Sequence, residues 1–371
     1  MIRNNILNKK RSFIFTIFYI YDNLEQKNMI YIFSIFIIIC LIGIDFKNRK
    51  TIDENALNRE RTLALNGIFI GIVLFSHFNS YVNFTNKLDL LYYDLIYNKI
   101  GQLMVTTFLF FSGYGIFESI KNKNNYIDSF FRKRILKLFI SFAIALIFYI
   151  IINYFIGEKY SINTILLSFT GWESIGNSNW FIYATFCLYI NTLISFKLCK
   201  NKTNALLTNT ILTLIYIIFT MKFKGYEWWY NTVLCYPAGM WLSHSKDRII
   251  NILKNGKSYI LISILVLILF VLFYNQKNNY LIYEIYSILF VSIIILFNFK
   301  IKLGNPILLW LGKNTFNIYI LQRMSFMMLK YFKLNEYNIY LYFTISIIII
   351  IIITILYNKI TNKLFRIIKL K

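Results

Sequence analysis

One titratable side chain sits inside a long apolar stretch. The stretch is Arg61 to Phe78, reading R-T-L-A-L-N-G-I-F-I-G-I-V-L-F-S-H-F, and the side chain is His77 near its far end. An ionisable group is costly to place in hydrocarbon, and such groups mostly mark function. A neutral imidazole in a partly dry pocket is a base able to take a proton from a hydroxyl. Asn66 stands eleven residues earlier. At about 100° per residue, eleven steps return to within roughly 20° of the same helix face, so Asn66 and His77 line one side. Gly67 and Gly71 let a neighbouring backbone approach that helix closely. The bland alternative is a histidine bonded to a neighbouring helix, with no part in chemistry.

The elements that must hold this histidine belong to a membrane protein. The chain has 371 residues, 58% hydrophobic and 15% charged, with a mean hydropathy of +0.56. A soluble domain carries more charge and less apolar mass. The apolar residues fall in blocks at 29–44, 62–80, 102–119, 136–156, 180–196, 205–221, 229–243, 258–274, 280–298, 314–333 and 338–357. They predict an all-α, polytopic membrane helix bundle of about 10–11 transmembrane helices embedded in a lipid bilayer. Blocks 229–243 and 314–333 carry the weakest pattern. Ser161–Thr170 is apolar but too short to span, and reads as re-entrant or as a packed loop.

The net charge of +24 would suggest nucleic acid in a soluble protein. Here most Lys and Arg sit between the blocks, so topology explains them and no nucleic-acid partner is expected. Basic loops at 45–61, 120–137, 197–204, 244–257 and 299–313, and the tail after 358, alternate with nearly neutral loops at 81–101, 157–179, 222–228, 275–279 and 331–337. Basic loops stay cytoplasmic, which predicts a cytoplasmic C-terminus in an inner or plasma membrane. The basic segment 1–28 breaks the pattern, and a start at Met29 removes the conflict. Its apolar patch Ser12–Tyr21 would rise about 15 Å, half the hydrocarbon core, and reads as interfacial. The expected divisions are a basic segment 1–28, an extra helix 29–45, a membrane domain 60–358 and a basic tail 359–371. Cys40, Cys187, Cys199 and Cys235 lack metal-ligand spacing, so neither a metal site nor a disulfide framework is expected.

Five stretches, in order, resemble a known family. L-N-G-I-F-I-G-I-V-L-F-S-H-F (65–78) resembles the first-helix signature of the integral-membrane acyltransferase 3 family, "LRG-I-A-hydrophobics-H". F-L-F-F-S-G-Y (108–114) is similar to its "FF-hydrophobic-SG-aromatic" motif, and F-F-R-K-R-I-L-K-L (130–138) to the basic loop that follows. N-W-F-I-Y-A-T-F-C-L-Y (179–189) resembles the "W-F-aliphatic" helix, and L-G-K-N-T-F-N-I-Y-I-L-Q (311–322) the late "LG-x-x-S-h-x-I-Y-L-h-H".

The resemblance implies transfer of an acyl group, usually acetyl from acetyl-CoA, to a hydroxyl of a cell-envelope polysaccharide or lipid-linked glycan. Acyl-CoA would be a co-substrate, with no tightly bound cofactor. His77 would be the essential histidine, as base on the acceptor hydroxyl or as relay of the acyl group, with Asn66 beside it, and Arg132, Arg134 and Lys137 would hold donor phosphates. Arginine suits that role because its fork meets phosphate oxygens bidentately. The bland reading of that loop is positive-inside charge. Ser112, Tyr114, Asn179, Trp180, Tyr183, Asn314, Tyr319, Gln322 and Arg323 are the further candidates for contacts to donor or acceptor, together with Arg61.

Three departures from the family pattern stand out. Asn66 stands where Arg or Lys is common, and Arg61, sixteen steps before His77, lies roughly 160° round the helix. Thr185 replaces a frequent Glu, and Gln322 a frequent His. They admit a degenerate, non-catalytic member. The rivals are a glycan flippase or other transporter, against which no matched pair of broken helices is found, and a glycan polymerase, which would present a large outer loop.

Overall fold

The structure, a computed structural model, describes residues 28–46 and 52–370. The expected interfacial segment and the basic residues Lys47, Arg49 and Lys50 lie outside the described residues. The chain is helical almost throughout. Among the described residues the one pairing of strands is a two-residue antiparallel contact, Asp45–Phe46 against Ile301–Lys302.

Eight helical stretches among the described residues are long and apolar enough to cross a membrane. The first is α2 (Arg59–Phe78), entered through Asn58, whose side chain accepts from the Arg61 amide and so caps the helix. The segment Lys87–Asn122 is continuous in span, with α3 (Lys87–Tyr93) passing through a widened turn at Asp94–Ile100 into α4 (Leu103–Asn122). A second widened turn, Phe131–Leu136, leads into α5 (Lys137–Ile156). After the short α6 (Ile162–Ser168) come α7 (Trp180–Leu198) and α8 (Lys202–Phe223).

Three of the expected spans form shorter helices. α1 (Met29–Leu41) has 13 residues, about 20 Å of rise. Block 229–243 is broken at Thr232, whose φ of 79° is left-handed, so only the ten-residue α9 (Cys235–His244) remains helical. The break is buried in protein rather than facing lipid, and the Leu234 amide donates to the Glu284 carboxylate at 3.1 Å. The interfacial, strongly amphipathic α10 (Lys246–Lys254) follows. Then come the spans α11 (Gly256–Tyr274) and α12 (Tyr280–Lys300), and the short α13 (Pro306–Lys313). α14 (Thr315–Tyr331), the third shortened block, has 17 residues and climbs about 26 Å. The four-residue α15 (Leu334–Tyr337) precedes the last span, α16 (Ile339–Ile367).

Two pairs of helices cross at backbone contact. A Cβ on Gly67 would strike the Leu308 carbonyl, and one on Gly312 the Leu63 carbonyl, which fixes α13 against the first half of α2. Likewise Gly113 faces the Tyr236 carbonyl and Gly239 the Phe110 carbonyl, locking α9 onto α4. Only glycine permits either crossing. At the other extreme, α11 has no buried residue and packs mainly on α12 and α10. Its hydrophobic side chains are exposed, as lipid-facing residues are.

Candidate active site

Between these crossings lies a cavity of about 790 Å³. It is built from the first half of α2, the second half of α4, the start of α5, α7, and the junction of α13 with α14. Arg59, Lys123, Arg134, Lys246 and Lys313 line it, against a single acid, Glu118. Arg59, Lys123, Arg134 and Lys313 are exposed, so they form the mouth. Glu118 is already engaged, by Lys121 at 2.8 Å and the Ser243 hydroxyl at 2.7 Å, which leaves the mouth strongly positive. Inward, the wall turns aromatic and weakly polar through Tyr114, Phe108, Phe181, Phe316 and Tyr319. Ser112 bonds Tyr189 across it at 3.0 Å, and Asn66 keeps its Oδ1 without a partner.

The remaining sequence candidates divide by position. Arg134 donates to the Tyr126 hydroxyl at 2.9 Å and lines the cavity. Its neighbours turn elsewhere: Arg132 donates to the Lys369 carbonyl at 2.8 Å, and Lys137 lies 5.0 Å from the Phe365 ring centre. Both meet the C-terminal segment, and so bring the 120–137 loop and the tail to one end of the bundle. Arg61 is buried outside the cavity. It donates to Asp53 at 2.8 Å, to the Asn298 side chain at 3.2 Å, to the Asn298 carbonyl and to the Ile301 carbonyl at 2.9 Å. These bonds brace the start of α2 against the end of α12. Asn179 donates to the Gly171 carbonyl at 3.1 Å, Trp180 packs edge-on to Phe181, and Tyr183 packs on Trp172 and Trp229. Asn314 accepts from Asn358 at 2.7 Å and ties α14 to α16.

His77 sits some 16 Å along α2 from Asn66, toward the far end of the bundle. Its ring centre is 5.8 Å from that of Tyr319, which also lines the cavity. Tyr319 in turn packs on Phe181 at 5.0 Å, and Phe181 on Phe108 at 6.1 Å. An aromatic layer thus stands between the basic cavity and the histidine. Beyond the layer, polar atoms are buried and unused: His77 Nδ1, the hydroxyls of Tyr319 and Tyr149, Gln322 Oε1, and both side-chain atoms of Asn79. Buried polar groups normally find partners.

Arg59, Lys123, Lys246 and Lys313 were visible in the sequence only as loop charge. No spacing links them, because they come from different segments that the fold brings to one rim.

This arrangement is that of a polytopic helical membrane protein with a cation-rimmed cavity leading toward a half-buried histidine. The chain belongs to the acyltransferase 3 family: the family model, described as an acyltransferase domain, matches residues 62–359. No curated protein and no solved structure matches it. Membership makes the protein an acyltransferase of the membrane type, and the match begins within α2 and ends within α16.

Proposed function

We propose that the protein transfers an acyl group, most readily acetyl, from acyl-CoA to a hydroxyl of a cell-envelope polysaccharide or lipid-linked glycan. The observation that carries this reading is the alignment of a positively rimmed cavity with His77 across the Tyr319 ring. The donor's phosphates meet Arg134 together with Arg59, Lys123, Lys246 and Lys313, as charge-assisted bonds favour. A volume of about 790 Å³ is within the range of small-molecule sites. The thioester end of the donor lies among Phe108, Phe181 and Tyr319. In this reading the basic end faces the cytoplasm, consistent with the alternation of loop charge.

His77 takes the proton from the acceptor hydroxyl. The oxygen attacks the thioester carbonyl, the C–S bond breaks, and the departing thiolate takes the proton back from the imidazolium. Rotation of the Tyr319 side chain joins the two compartments for this step.

The test is acyl transfer from labelled acetyl-CoA in membranes carrying wild type or His77→Ala. Loss of a general base lowers the rate about 10²–10⁴-fold. Equal transfer by both would remove His77 from the mechanism. Coenzyme A itself separates a transferase from a transporter. At a hundred times its Kd it stabilises a binding protein by about 2.7 kcal/mol, and a transporter without a donor site shows no such shift.

A further inference from the structure

Arg323 is the one arginine among the described residues on the His77 side of the aromatic layer. It projects from α14 one residue after Gln322, is half-buried, and makes no ion pair with any Asp or Glu of the described residues. Its Nε donates to the Ser178 hydroxyl at 2.9 Å, and its guanidinium carbon lies 6.0 Å from the Tyr81 ring centre. Lys330 Nζ lies 5.9 Å from the same ring centre. The loop that carries Ser178 is seated firmly. The Ile175 carbonyl accepts from Asn153 at 2.8 Å, and Gly176 rests on Met327 of α14.

A partly desolvated guanidinium is retained where a counter-charge completes it. Two acids of the neighbouring loops are engaged elsewhere: Glu173 pairs with Lys224 at 3.1 Å, and Asp89 accepts from Tyr340 at 2.9 Å. The hydroxyls of Tyr149 and Tyr319 are buried on the same side of the aromatic layer, each residue under 3% exposed. Fork, hydroxyls and a second cation form a receptor for an oxyanion, beside a base waiting for a hydroxyl.

We infer that the acceptor carries a carboxylate or phosphate group that Arg323 binds while its hydroxyl meets His77. This rests on the transferase reading and narrows it to acidic acceptors. A glycan acid and a lipid phosphate supply the same chemistry, and the measurement separates them.

The full chain, purified in neutral detergent, is heated with glucuronate, glucose 1-phosphate, glucose, or mixed micelles of phosphatidylglycerol or phosphatidylcholine. Wild type, Arg323→Gln and Arg323→Lys are compared, with coenzyme A as a parallel ligand. The expected result is stabilisation of wild type by an acidic ligand, with half-saturation about ten-fold below that of its neutral counterpart, lost in Arg323→Gln and partly kept in Arg323→Lys. A shift with the sugar acids assigns the oxyanion to the glycan. A shift with phosphatidylglycerol alone assigns it to lipid. If Arg323→Gln does not fold, wild type and Arg323→Lys decide. Equal response to acidic and neutral ligands, no response to either, or unchanged acid binding in Arg323→Gln overturns the inference. Coenzyme A stabilisation persisting in those cases leaves the transferase reading standing, and its absence from wild type counts against that reading instead.

Discussion

Among single residues, Arg61 shows how far a charge near an active site can be from chemistry. It lies in the first turn of the helix that carries His77, at the end of a basic stretch of sequence, yet it is buried and all its bonds are internal. Removing one partner from a buried pair leaves the other charge uncompensated, at about 3–5 kcal/mol. Arg61→Ala is expected to lower thermal stability by that order, as followed by tryptophan fluorescence, while protein still folded keeps its affinity for coenzyme A. A variant of normal stability that loses donor binding would place Arg61 in the donor site.

The same residues show what a sequence can convey. Asn66 and His77 sit eleven apart, and helical period alone puts them on one face. The structure has them on opposite sides of Tyr319, one in the cavity lining and the other against the ring. Arg134 was identifiable, but its side chain parts company with those of Arg132 and Lys137 at the widened turn Phe131–Leu136. Its partners at the rim were not identifiable, since convergence of distant loops leaves no local pattern.

The helices themselves were largely legible, because long apolar blocks have few alternatives in a bilayer. What escaped was the break in block 229–243. Its cause lies fifty residues away in Glu284, which receives the freed Leu234 amide. The small residues were half legible. Ser112-Gly113-Tyr114 reads either as a packing notch or as pocket lining, and it is both: Gly113 meets the Tyr236 backbone while Ser112 and Tyr114 face the cavity. Tyr236, across that crossing, also lines the cavity. A β-carbon here must push α4 and α9 apart. Gly239→Ala is therefore expected to destabilise by about 1–3 kcal/mol, the usual range for overpacking, and to weaken coenzyme A binding in a thermal-shift titration. Gly256→Ala, where a β-carbon meets open space, is the control and should leave both unchanged.

For the molecule as a whole, the aromatic layer of Phe108, Phe181 and Tyr319 matters beyond catalysis. A water-accessible cavity enters from one end of the bundle, and a patch of buried polar groups occupies the opposite half. Were the two continuous, the resting protein would conduct. Tyr319→Ala, reconstituted into liposomes with an imposed pH difference, is expected to dissipate the gradient faster than wild type, and Tyr319→Phe to hold it. Equal dissipation by all three would show that the seal lies elsewhere. On that expectation the three rings are electrical insulation, which keeps the voltage across the bilayer from short-circuiting through the protein.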